Sequence, residues 1–170
     1  MSSIEHKKEA PTSINCKVIT VSDTRTKELD KSGNAMITIL NENGHNVVEY
    51  EIVKDEQALI KNAILAGCEN PKIDAVLTNG GTGIAKRDIT IETVQQIIDK
   101  EIIGFGELFR MLSYTEDIGS SAILSRAIAG VALNTAIFST PGSTGAVKLA
   151  MSKLIIPELG HVVREIKKDL

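Results

Sequence analysis

Apolar residues along this chain follow two rhythms. Short continuous runs rich in β-branched residues alternate with longer stretches whose apolar positions recur every three or four residues. Residues 1–14 are polar and predict a flexible tail. Cys16 to Val21 is then a compact β-branched run, read as a central strand. Asp30 and Ser32 offer caps for a helix carrying Ala35, Met36, Ile39 and Leu40, which Asn43-Gly44 closes. Val47 to Val53 predicts a second strand, less apolar and so nearer an edge. Asp55 then caps a helix through Ala58, Ile60, Ala63 and Ile64 that stops near Gly67. Asp74 to Thr78 is a third strand, apolar in its middle, as burial on both faces requires.

Further along, Thr90 is placed to cap a helix over Ile91 to Ile98, and another covers Gly106 to about Thr115. Two apolar runs around Leu133-Asn134 predict a paired β unit between Ile128 and Phe138. Ala146 to Leu154 reads as a helix, and Pro157 in a first turn starts the last one, to Lys168. Strand and helix alternate, which is the βαβ signature of a parallel sheet with helices on both faces. The expectation is one α/β domain over residues 15–170, with no repeat and no linker.

Composition narrows the function. A net charge of -3 argues against nucleic acid, and five aromatics, two Tyr and three Phe, provide no stacking platform. Cys16 and Cys68 lie far apart in apolar surroundings and read as reduced core residues. No secretory leader is visible at the amino terminus, and no apolar stretch approaches the ~20 residues that span a bilayer. A cytoplasmic location is expected, with no membrane or nucleic-acid partner.

In an open α/β sheet, ligands bind beyond the carboxyl ends of the strands. Four polar segments follow predicted strands: Ser22 to Arg25, Lys54 to Glu56, Asn79 to Asp88, and Ser139 to Thr144. Gly80-Gly81-Thr82-Gly83 is the sharpest of them, because glycines admit a ligand close to the main chain and successive N–H groups can converge on an anion. A tight turn without a ligand is the alternative. The loop fits neither the P-loop nor the dinucleotide pattern. Asp55 and Asp88 read either as carboxylates at helix amino ends or as a pair sharing Mg²⁺ on a polyphosphate. Pro141-Gly142-Ser143-Thr144 reads either as a capped turn or as a second anion site before a helix. His45 and His161 have no partner at metal or triad spacing and read as structural.

Taken in order, Thr78 to Gly83, Arg87-Asp88-Ile89-Thr90, Gly104-Phe105-Gly106-Glu107, Leu124-Ser125-Arg126 and Thr140 to Ser143 resemble the MoaB/MogA molybdopterin-binding family. The likeness runs from about Lys17 to Leu159, and the last loop is nearer the MoaB type. The resemblance implies a three-layer αβα sandwich around a mostly parallel sheet, assembled as a homotrimer or homohexamer. It implies molybdenum cofactor biosynthesis: adenylyl transfer from Mg²⁺-ATP to molybdopterin, with release of pyrophosphate. On that footing the glycine loop, Pro141, Gly142, Ser143 and Thr144 hold the pterin and its phosphate, with Glu107 nearby. Ser22 and Asp23 lie beside the nucleotide, and Asp55 and Asp88 match the family's two important aspartates. A non-catalytic pterin carrier and a relative acting on a pyridine nucleotide are the alternatives.

Overall fold

A computed structural model describes residues 2–170. Six strands form one sheet in the order β2-β1-β3-β6-β5-β4. They are β1 (Asn15–Val21), β2 (Asn46–Val53), β3 (Ala75–Asn79), β4 (Lys100–Glu101), β5 (Ile128–Ala132) and β6 (Thr135–Thr140). β2, β1, β3 and β6 run parallel, while β5 is antiparallel to both β6 and β4. The expected mostly parallel sheet is therefore present, with β2 at an edge. Leu133 and Asn134 close the β5–β6 hairpin at positive φ, 49° and 61°, as a two-residue turn of matching twist requires.

Among the described residues there are seven α-helices, α1 (Ser3–Glu9), α2 (Lys31–Glu42), α3 (Gln57–Glu69), α4 (Thr90–Ile97), α5 (Ile103–Glu116), α6 (Thr144–Ala150) and α7 (Ile156–Lys167); α1 lies on α7 and the others flank the sheet. Because successive strand residues point to opposite faces, the buried strands divide their side chains between two cores. Val18, Leu77 and Phe138 pack with Met36 and Leu40 of α2, Phe109 of α5, and Val147 and Leu159 of α6 and α7. Ile19, Val76 and Ile137 pack on the other face against Ile60 and Ile64 of α3 and Val94 of α4. Three layers result. Among the described residues, no helix is long and apolar enough to cross a membrane.

Several local expectations are corrected. Asp30 does cap α2, accepting from the Gly33 amide at 3.0 Å, but Ser32 is buried in the first turn rather than capping it. Asp55 does not cap α3, whose cap position is Glu56 with no side-chain bond, and α3 passes Gly67 to reach Glu69. Thr90 does not cap α4 either; it is the first helical residue, after Ile89. Residues 3–9 of the expected tail form α1, opened by a capping box of Ser2 and Glu5.

The last two helices join into one rod through a wider turn over Met151–Ile155, in which the Ile156 amide bonds back to Met151. A five-residue turn there lets the chain take up Pro157, which has no N–H to give, without breaking the rod. The central strand is also less apolar than its run suggests. Lys17 is buried in β1, where its Nζ donates to the Ala63 carbonyl at 2.9 Å and pairs with Glu49 and Glu51 of β2 at 3.2 and 2.8 Å. A buried ammonium is tolerable only when so partnered.

Candidate functional site

β1 lies between β2 and β3, so the connections leaving β1 and β2 run to opposite faces and a crevice opens at the strands' carboxyl ends. An open cleft of about 480 Å³ occupies that place. Ser22 and Arg25 reach it from β1, Asp55 from β2, Gly80 to Gly83 and Asp88 from β3, and Pro141 and Gly142 from β6. The four polar segments that follow strands in the sequence thus meet in one site.

Its floor depends on absent side chains. Gly80 has φ +97°, and a Cβ there would stand 2.2 Å from the Val21 carbonyl oxygen. A Cβ on Gly142 would in turn lie 3.0 Å from the Gly80 Cα. The ends of β1, β3 and β6 can therefore close on one another only as glycine backbone.

Arg126 fixes the loop's orientation. Its Nε donates to the Thr82 carbonyl at 3.0 Å, and one of its terminal nitrogens donates to Gly83 at 2.7 Å and Asp88 at 3.2 Å. The Gly81 carbonyl accepts from the Thr90 amide at 3.0 Å. Across a trans peptide, C=O and N–H point in opposite directions. The amides of Thr82, Gly83 and Ile84 are therefore turned away from these partners, in a loop whose Gly81–Gly83 segment lines the cleft. Such a row of amides suits an anion. Glu92 pairs with the Arg126 guanidinium and holds it in place.

A second arginine supports the opposite wall. Arg25 donates to the Gly142 carbonyl at 2.9 Å and pairs with buried Asp30 at 3.5 Å. Asp30 also accepts from the Tyr50 hydroxyl at 2.6 Å. The Ser22 hydroxyl accepts from the amides of Thr24 and Arg25, at 3.3 and 3.2 Å, and shapes the turn that presents Arg25.

Three carboxylates crowd the other end. Asp23 accepts from the Asp55 amide at 3.1 Å, and its second oxygen pairs with exposed Arg87 at 2.6 Å. Asp88 accepts from the Ala85 amide at 3.0 Å. Burial, then the charges of Asp23 and Asp88, push the Asp55 carboxyl above its ordinary value, with Arg87 offsetting only part of this. Beside them the Thr90 hydroxyl is fully buried and has no hydrogen-bond partner among the described residues. It lies 2.3 Å from where a Gly81 Cβ would be, and Asp55 Oδ1 lies 3.0 Å from the same point. The site thus joins an amide-lined, glycine-walled end to an end with surplus negative charge. No Cys or His lines it among the described residues.

The model of the family described as "Probable molybdopterin binding domain" matches residues 17–161. The chain belongs to this family. It is 67% identical over 169 residues to molybdenum cofactor biosynthesis protein B of Bacillus subtilis, covering 99% of each chain. It is 53% identical to the protein of the same name from Staphylococcus carnosus, covering 91% of this chain and 92% of that one. Among solved structures, the tungsten cofactor synthesizing protein MoaB from Pyrococcus furiosus superposes with a TM-score of 0.82 at 38% identity, over 93% of this chain and 99% of its own. The MoaB/MogA resemblance read from the motifs is borne out, as is the α/β sandwich.

Not every candidate residue of the molybdopterin-binding motifs reaches the cleft. The Ser143 hydroxyl caps α6, accepting from the Ala146 amide at 3.2 Å, and Thr144 is that helix's first residue. Glu107 is exposed on α5 and does not line the cleft. Asp23 acts at its edge, through Asp55 and Arg87. Conversely, Arg25 had no assigned role in the sequence, and Arg126 stood there only as one letter of a motif.

Proposed function

We propose that this chain works in molybdenum cofactor biosynthesis, as its relatives' names indicate, by binding molybdopterin and transferring to it the adenylyl group of ATP. The observation that carries the reading is the meeting of Asp55 and Asp88 with the glycine loop in one cleft, with Asp23 at its edge bonded to the Asp55 amide. An oxygen of the pterin's terminal phosphate attacks the α-phosphorus of ATP. A new P–O bond forms as the bond to the β-phosphate oxygen breaks, and pyrophosphate leaves with the electron pair. Such a transfer needs positioning and charge neutralisation rather than a protein nucleophile, which suits a cleft without Cys or His.

Arg126 and Thr90 hold the glycine loop's carbonyls inward, so that its amides receive the pterin phosphate. Pro141 and Gly142 form the facing wall, steadied by Arg25. Ser22 and Asp23 border the nucleotide, while Ser143 and Thr144 present the start of α6 near the pterin and Glu107 serves from outside the cleft. The raised carboxyl of Asp55, whose repulsion from Asp23 and Asp88 is only partly offset by Arg87, fits a bound cation. Asp55 and Asp88 would hold Mg²⁺, which supplies charge neutralisation to the polyphosphate.

One face remains uncovered. Ile103, Leu108, Met111 and Tyr114 of α5, with Ile123 in the turn that follows, are 47–84% exposed. The helix is split, since its Phe105 and Phe109 belong to the core. An apolar patch of this kind is the expected surface for a homotrimer or homohexamer. The protein so assembled is proposed to be cytoplasmic.

The test is pyrophosphate release from purified protein given molybdopterin, ATP and Mg²⁺. Wild type should turn over, whereas Asp88→Asn should bind pterin without releasing pyrophosphate. Pterin binding with no release by the wild type would leave only a carrier role. Failure to bind pterin at all would remove both readings.

A further inference from the structure

The protein has three histidines, and two of them meet far from the cleft. His6 on α1 and His161 on α7 face each other edge-on with ring centroids 5.9 Å apart. Glu165, one turn beyond His161 on α7, stands with its Oε1 3.2 Å from His6 Nδ1. One ligand atom from each of these residues lies within 4.8 Å of the other two. We propose that His6, His161 and Glu165 form a binding site for a divalent transition ion of the Zn²⁺ type, which clamps α1 onto α7.

The geometry suits such an ion. Ligand bonds of about 2.0–2.1 Å at a tetrahedral angle place neighbouring donor atoms about 3.3 Å apart. His6 Nδ1 and Glu165 Oε1 already stand at 3.2 Å, and a metal there would take the place of the Arg164 and Lys168 cations that Glu165 now pairs with, both at 2.9 Å. The third donor lies no more than 4.8 Å away, so a closure of at most about 1.5 Å completes the set, within reach of side-chain rotation. Two imidazoles and one carboxylate with the fourth position open to water are also a recognised ligand set for this metal. Mg²⁺, which prefers oxygen, is poorly served by it.

A second observation concerns orientation. His161 Nδ1 is 3.0 Å from Glu158 Oε2, so Nε2 is the nitrogen left for a ligand. A carboxylate behind a metal-binding imidazole fixes its tautomer and ring plane. Glu158 is itself held by Lys7 of α1. The third histidine does not compete, because His45 is buried and its Nδ1 accepts from the Ile14 amide at 3.1 Å. Local spacing could not reveal this site, since His6 stands 155 positions from its partner.

The site has work to do. α1 is only seven residues long and buries none of them, too short to persist on its own. Beyond the His6–His161 ring contact, its ties to α7 are ionic: Lys7 to Glu158, Glu9 to Arg164 and His6 to Glu165. Pairs so open to solvent, wholly or in part, hold weakly. A metal taking one ligand from α1 and two from α7 would convert that attachment into a metal-dependent one.

Untagged full-length protein should bind one Zn²⁺ per chain by calorimetry, and Co²⁺ should give the visible absorption of a four-coordinate site. Zn²⁺ should slow tryptic cleavage at Lys7 and Lys8 at least tenfold. His6→Ala leaves the core untouched, because α1 buries nothing; it should abolish stoichiometric binding and the protection. Glu158→Gln should weaken binding about 10–100-fold, and Asp88→Asn in the cleft should change neither. Absence of stoichiometric Zn²⁺ binding, or binding undiminished in His6→Ala, would overturn the proposal.

Discussion

Replacing Gly80 by Ala tests whether the cleft floor requires backbone contact between strand ends. Two costs add there. A φ of +97° is unfavourable for an L-residue, at roughly 1–2 kcal/mol. The new methyl would also stand 2.2 Å from the Val21 carbonyl oxygen, a backbone atom that no rotamer can move. Overpacking of this kind adds about 1–3 kcal/mol. The total, about 2–5 kcal/mol, corresponds to a fall in Tm of about 4–20 °C for a domain of this size. Gly119 is the control, for it has φ +60° but nothing within 4 Å of its would-be Cβ. Gly119→Ala should therefore lose only the backbone part, about 2–8 °C. Calorimetry of both variants at one protein concentration separates the two terms. Since moving Val21 also shifts Ser22 and the glycine loop, Gly80→Ala should bind molybdopterin at least tenfold more weakly. The reasoning fails if Gly80→Ala is no less stable than Gly119→Ala.

Asp55→Asn should stabilise the metal-free protein at neutral pH while abolishing pyrophosphate release, because the Asp55 carboxyl titrates above its unfolded value. The sign follows from linkage: ionised Asp55 costs stability above its folded-state value, and that cost is gone below the unfolded value of about 3.9. The stability gap between variant and wild type in pH-dependent denaturation should accordingly close on acidification. Arg126→Ala removes three hydrogen bonds to loop carbonyls, and should raise the KM for molybdopterin at least tenfold with a smaller change for ATP, read by initial-rate kinetics. Chelation of Mg²⁺ should stop pyrophosphate release yet leave pterin binding intact in equilibrium dialysis. Met111→Glu, placing charge on the exposed α5 face, should lower the mass seen by light scattering to that of a smaller assembly.

How far these residues could be read in advance depends on the range over which each acts. Burial periodicity is local, so the order of the larger strands and helices was legible from residue types a few positions apart. β4 was not, because two residues carry no period. The glycine loop and Asp88 were visible because turn chemistry and the strand before them are also local. Caps were harder. Asp55 and Thr90 are residue types that cap helices, yet one stands outside α3 and the other inside α4, where its hydroxyl is left buried and without a hydrogen-bond partner among the described residues. A cleft that fails to satisfy its own groups is spending local consistency on something else, and the misplaced caps are the residues around its carboxylate end. Arg25 and Arg126 escaped notice for a different reason. They act on carbonyls 117 and 44 positions away, and a cation's partner is set by the fold rather than by its neighbours in sequence. The sequence therefore exposes the groups that would touch ligand and conceals those that aim them. Both arginines bind main-chain carbonyls of the cleft walls, so substituting them should disturb pterin affinity before it disturbs the fold.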